Sequence, residues 1–198
     1  MIETIKLIGL AGQAGCGKDT VAQILCGTQE FRRIALADPI KRGISEMFRL
    51  HESYLTNRDL KEIPHKDLCG KTPRYLMQSL GTEWGRNCID LQVWLKIAQK
   101  EINYIKGIAE SQIHYIRGVV VSDIRFEGEA KWIRDQGGVV WHIKRPNNPY
   151  QIDTAHESET QLVIDERDEI IINDGDTDDL FEDVALLLAM ASEEQAAC

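Results

Sequence analysis

The sequence has little of what a disulfide-stapled, zinc-bound, membrane-spanning or nucleic-acid-coating protein needs. Its five cysteines, Cys16, Cys26, Cys69, Cys88 and Cys198, are odd in number and form no C-x-x-C pair. That argues against a disulfide framework or a zinc ribbon and for a reducing compartment. No apolar run approaches the ~20 residues of a membrane span. The N-terminal stretch, MIETIKLIGLAG, lacks a basic leader followed by a long apolar segment, so a cytoplasmic location is expected. Positive charge is also short: 23 Lys and Arg stand against 32 Asp and Glu, a formal net charge of −9. An acidic chain repels polymeric nucleic acid and anionic membranes at long range, yet a small anionic ligand needs only a local positive pocket. Internal repeats and low-complexity segments are missing.

What is present fits one domain of 198 residues, long enough to bury a core without staples. Residues 5–10 (IKLIGL) read as a buried strand that stops at glycine. Further strands are expected at 33–37 (RIALA), 118–122 (GVVVS), 139–143 (VVWHI) and 169–173 (EIIIN). Helices are expected over 18–26, from Pro39, from Thr72-Pro73 with threonine as N-cap, and over 127–136 and 178–191. Another covers about 91–106, with Leu91, Trp94, Leu95, Ala98, Ile102 and Ile105 on one face. Residues 51–72 are polar. Strands that alternate with helices and run continuously apolar indicate a parallel sheet covered on both faces. The expected fold is α/β: a three-layer sandwich of about five parallel strands, with ligands at the strands' carboxyl ends.

The segment after the first strand is Gly12-Gln13-Ala14-Gly15-Cys16-Gly17-Lys18-Asp19-Thr20. It fits a phosphate-binding P-loop, G-x-x-x-x-G-K, with the hydroxyl residue one place late. Glycines allow the tight turn and let backbone N–H groups surround a phosphate, and the following helix adds its dipole. Lys18 is expected on the terminal phosphates. Thr20 is expected near magnesium or a phosphate oxygen. Cys16 reads as a small loop residue rather than a nucleophile. The spacing G-x-x-G-x-G-K-x-T resembles that of nucleoside monophosphate kinases.

Val119–Ser122 lead to Asp123, placed where a P-loop protein organises magnesium. Arg125, two residues on, could neutralise charge on a transferred phosphoryl group. The plainer alternative has Asp123 capping the next helix and Arg125 on the surface. No general base is needed, because a phosphate monoester is already an anionic nucleophile. Acceptor contacts are sought in two places: Asp38 and Lys41 after the second strand, and Arg74, Gln78, Glu83, Trp84 and Arg86 after the central loop. Arg74 and Arg86 suit a bidentate phosphate clamp. For Trp84, packing weighs more than stacking on a base.

ADPIK, TPRYLMQSLGTEWGR, VVVSDIRFEGEA, HESE at 156–159 and INDG at 172–175 together resemble the bacteriophage deoxynucleoside monophosphate kinases, over roughly 5–190. The resemblance implies a P-loop nucleoside-monophosphate-kinase-like fold. It also implies ATP as donor, magnesium, and a deoxynucleoside 5′-monophosphate as acceptor in the (host) cytoplasm. On that analogy Lys18 handles donor phosphates and Arg125 the reacting ones, while Lys41, Arg74 and Arg86 lie where acceptor contacts would be. The expected organisation is a single kinase domain with a helical acceptor-binding insertion at about 39–110. A lid is expected at about 145–161, with Arg145 its only arginine. Within that lid, His156, Glu157, Ser158 and Glu159 read as hydrogen-bonding groups rather than a metal site. The SDIR element and the acid-Ser-Glu lid also resemble those of the animal phosphomevalonate kinases, which are similar in fold. Dephospho-coenzyme A kinases are a more distant likeness, and a non-catalytic ATP-binding regulator is the non-enzymatic alternative. The accepted base and the oligomeric state stay open, a homodimer included.

Overall fold

The structure, a computed structural model, describes residues 5–111, 115–148 and 162–196, the last six by backbone alone. Its strands are β1 (Lys6–Ala11), β2 (Phe31–Ile34), β3 (Gly118–Ile124), β4 (Val139–Lys144) and β5 (Glu169–Ile172). Its α-helices are α1 (Lys18–Thr28), α2 (Asp38–Phe48), α3 (Ser53–Thr56), α4 (Pro73–Gln78), α5 (Val93–Glu110), α6 (Glu127–Asp135) and α7 (Thr177–Ala196). A π-helix runs over Ser79–Ile89. None of the described helices is long and apolar enough to cross a membrane. The chain divides into two compact units, Met1–Ile34 with Ile102–Cys198, and Ala35–Glu101.

The first unit holds the sheet, in the order β2-β3-β1-β4-β5, with every pairing parallel. Alternation along β1 sends Ile8 and Leu10 to one face. There they share a buried cluster with Val21 and Leu25 of α1 and Leu180, Val184 and Leu188 of α7. Gly9 points to the other face, where a Cβ would lie 3.1 Å from Ile133 of α6. Helices therefore cover both faces, as the apolar strands required. Asp123 of β3 immediately precedes Ile124, the register partner of Ala11, and Ala11 also pairs with His142 of β4. The carboxyl ends of β1, β3 and β4 thus come together, and the loops after them with them.

Two expectations need correction here. The second strand lies at 31–34, not 33–37. Ala35 and Leu36 are buried, but in a turn that leads into α2, so their apolar character reports burial and not extension. Leu91 lies outside α5 and is 77% exposed, whereas Trp94, Ala98, Ile102 and Ile105 are buried as expected. Most of the expected lid, residues 149–161 with His156, Glu157, Ser158 and Glu159, lies outside the described residues, as does Cys198.

The second unit has its own core of Ile44, Leu50, Leu55 and Leu68, with Ile40, Phe48, Leu76 and Leu80 against it. The polar stretch 51–72 supplies two of those core leucines. Thr72 caps α4 as expected, its Oγ1 accepting the Tyr75 N–H at 3.1 Å, with Pro73 next. The 11-residue π-helix that follows was not foreseen. Such helices are rare beyond single turns and often mark functional sites. Two glycines accommodate it: Trp94 Nε1 donates to the Gly81 carbonyl at 2.8 Å, and a Cβ on Gly85 would meet the indole at 2.4 Å.

Candidate active site

The loop between β1 and α1 turns on glycines in the left-handed half of φ: Gly12 at 144°, Gly15 at 80° and Gly17 at 111°. At Gly12 a Cβ would also lie 2.4 Å from the Ile143 carbonyl oxygen, so no other residue fits. Each loop carbonyl from Gly12 to Cys16 accepts a side-chain donor. Lys18 Nζ donates to Gly12 O (2.7 Å) and Gln13 O (2.8 Å). Asn148 Nδ2 donates to Ala14 O (2.9 Å), Arg145 Nη1 to Gly15 O (3.4 Å) and Asn173 Nδ2 to Cys16 O (2.8 Å). Carbonyls and amides of one peptide point opposite ways, so tying these carbonyls orients the amides that a phosphate would use.

Burial pulls the Lys18 ammonium below its ordinary pKa. The neighbouring Cys16 opposes this, and the Arg125 guanidinium adds to it. A dianionic phosphate placed beside Lys18 reverses the balance. Asp19, where the common motif has serine or threonine, is exposed in the first turn of α1, a position that favours a carboxylate. Thr20 is half-buried. With Lys18, Arg145, Asn173, Asp176 and Leu180 it lines a cleft of about 430 Å³.

Asp123 is half-buried at the end of β3. It is not the cap of α6: the backbone N–H groups of Arg125 and Phe126 donate to Glu129 Oε2, at 2.8 and 3.2 Å. Glu129, only 6% exposed, fixes the backbone from which the exposed Arg125 side chain projects. The capping signal was legible as an acid at the third helical position. Asn148 and Asn173 were missed as site residues. INDG stood out only as a likeness, and a hydrogen bond across 157 residues leaves no local trace.

In the second unit, Lys41 Nζ lies 3.4 Å from Asp38 Oδ1, which brings two expected acceptor residues together at the start of α2. Arg74 is paired with Glu62, a partner the sequence did not suggest. Gln78 is exposed and Arg86 half-buried. Trp84 is 52% exposed, whereas Trp94 is buried. Glu83 is held by Ser79 Oγ at 2.8 Å.

The model of the deoxynucleotide monophosphate kinase family matches residues 6–72 and 71–184. The chain belongs to the deoxynucleotide monophosphate kinase family. A protein of Acanthamoeba polyphaga mimivirus, named "Putative deoxynucleotide monophosphate kinase", is 29% identical over 203 residues, covering 94% of this chain and 98% of the viral one. As a member of the family the chain is a nucleotide kinase with small-molecule nucleotide substrates. Membership selects that reading over the phosphomevalonate and dephospho-coenzyme A kinases. The five-stranded parallel sheet is the α/β fold the sequence led us to expect. The family match spans both units.

Proposed function

We propose that this kinase transfers the γ-phosphoryl group of ATP, in line, to the 5′-phosphate of a deoxynucleoside monophosphate, giving ADP and the deoxynucleoside diphosphate. The observation that carries the reading is the P-loop of residues 12–20, its carbonyls tied back and Lys18 at its mouth, beside a cleft of about 430 Å³. The loop amides from Gly12 to Thr20 and Lys18 bind the donor phosphates, and Arg145 closes on them from β4. Arg125 stabilises the phosphoryl group in flight. The Thr20 hydroxyl and the Asp123 carboxylate are hard oxygen donors of the kind magnesium takes, usually alongside substrate phosphates and water. Those two residues would hold it, and the ion would supply charge neutralisation on the phosphate oxygens.

Acceptor binding is assigned to Asp38, Lys41, Arg74, Gln78, Trp84 and Arg86. Lys41 and Arg74 each have a carboxylate partner, which an acceptor phosphate would replace. The chain is read as one kinase domain, with an acceptor-binding insertion at about 39–110 and a lid at about 145–161. Its free cysteines Cys16, Cys26, Cys69 and Cys88 support a cytoplasmic setting.

A coupled ADP-release assay with magnesium-ATP tests this, using dGMP, dTMP, dCMP, dAMP, the matching ribonucleotides and phosphomevalonate. Turnover with one or more deoxynucleotides establishes the reading and names the base. Turnover with phosphomevalonate alone would overturn the acceptor. ATP hydrolysis that ignores every acceptor would overturn the transfer.

A further inference from the structure

We infer that Asn173 is a positioning residue for the phosphoryl donor, acting through the Cys16–Gly17 peptide. The inference rests on the P-loop reading above. Asn173 follows β5 directly, and its own N–H donates to the Lys144 carbonyl at 2.7 Å, which extends the β4–β5 ladder by one bond. Its backbone is thereby held by the sheet. From that fixed point its Nδ2 donates to the Cys16 carbonyl at 2.8 Å.

The carbonyl of Cys16 and the N–H of Gly17 belong to one planar peptide and point in opposite directions. Holding the first fixes the aim of the second. Gly17 is also the residue that opens α1, so its N–H lies where the helix dipole and the loop amides act together on an anion. The fit is tight: a Cβ on Gly17 would lie 2.4 Å from Asn173 Nδ2. Glycine at 17 therefore serves two ends, a φ of 111° and room for the Asn173 amide.

The neighbouring carbonyls follow the same scheme. Ala14 is held by Asn148, which is buried, and Gly15 by Arg145. Three successive loop carbonyls thus take side-chain donors from the chain after β4 and β5, none from the loop itself. The second half of the P-loop is shaped by the far edge of the sheet. Asn173 also lines the cleft, so a direct contact with the nucleotide's sugar or base is the rival explanation for any effect of removing it.

The test uses the full chain, with displacement of a fluorescent ADP analogue by ADP and by inorganic tripolyphosphate. Asn173→Ala is compared with wild type in both titrations, together with the KM of the preferred deoxynucleotide and the melting temperature without ligand. A positioning role predicts that both ADP and tripolyphosphate lose affinity by about tenfold, the equivalent of one hydrogen bond. It also predicts a raised KM for ATP and an unchanged KM for the acceptor. Loss for ADP with tripolyphosphate unaffected would overturn the inference in favour of direct contact. Equal binding of both ligands by variant and wild type would overturn it outright. Should the alanine variant not fold, Asn173→Leu keeps about the same volume and removes the donor without adding a charge, and the same outcomes apply. Wild type that binds neither ADP nor tripolyphosphate would sink the P-loop reading itself, which is a separate failure.

Discussion

Arg134 of α6 meets Asp168, just before β5, through two contacts: Nε to Oδ1 at 3.2 Å and Nη2 to Oδ2 at 2.6 Å. The Asp168 carboxylate has no solvent exposure and also accepts from His142 Nε2 and from the N–H groups of Val140 and Asp165. Arg134 reaches on to Glu127 and to the Val163 carbonyl. One ion pair thus fastens the segment 163–168 to α6 and to β4, the strand that leads to Arg145 and Asn148.

Burial alone would raise the Asp168 pKa. The hydrogen bonds from Arg134, Asp165, His142 and Val140 overcome it and hold the value at about 2. A carboxylate depressed below its unfolded value stabilises the fold above that value, near 4, and loses the contribution as pH falls toward 2. Urea melts of wild type and Asp168→Asn should therefore differ by a constant amount above about pH 5 and converge between about pH 4 and pH 2. A difference that stays constant down to pH 2 would contradict the assignment. Arg134→Ala strands the buried carboxylate and should destabilise by about 3–5 kcal/mol in the same melts at pH 7.

Lys18→Ala should lower kcat by on the order of 10²–10³, the usual loss for one preorganised charge-stabilising donor. Its melting temperature should stay near that of wild type, since among the described residues Lys18 bonds to its own loop. Steady-state kinetics beside a thermal melt check both parts. Wild-type turnover by a folded variant would remove Lys18 from the mechanism.

Arg125→Ala should reduce kcat more than it raises the KM for ATP, because the charge it meets develops during transfer. Glu129→Ala should act on both stability and rate. Loss of the cap costs about 1 kcal/mol, and the Arg125 backbone loses its tether. An unchanged kcat in Arg125→Ala would make that arginine a bystander, while leaving the Glu129 cap a stability element.

Gly85→Ala drives a methyl group into the Trp94 indole and should destabilise by about 1–3 kcal/mol, as overpacked sites do. Trp94→Phe removes the donor to Gly81 and should be milder, about 1 kcal/mol. If the π-helix presents acceptor contacts, both variants raise the acceptor KM and leave the KM for ATP alone. Equal change in the two KM values would point to general loosening instead.

Much of this protein was determined by local sequence. The apolar runs at 118–122 and 139–143 are buried strands as their sequence suggests, 169–173 is a strand in which Ile171 is buried while Ile170 and Ile172 are exposed, and Gly12, Gly15, Gly17 and Lys18 mark a candidate phosphate loop by spacing. Thr72-Pro73 marked a helix start for the same reason: the capping hydroxyl and its partner are three residues apart. Other features were decided only by the tertiary structure. The edge strand β2 carries exposed Arg32 and Arg33, so its apolar sequence signal lay in the buried turn after it. The π-helix depends on Trp94 reaching back thirteen residues to Gly81. Asn148, Asn173 and Asp168 gain their roles from partners 134, 157 and 34 residues away, at Ala14, Cys16 and Arg134. Periodicity and motif spacing record what neighbours along the chain require. A hydrogen bond between the ends of two strands exists only once parallel pairing has brought those ends side by side.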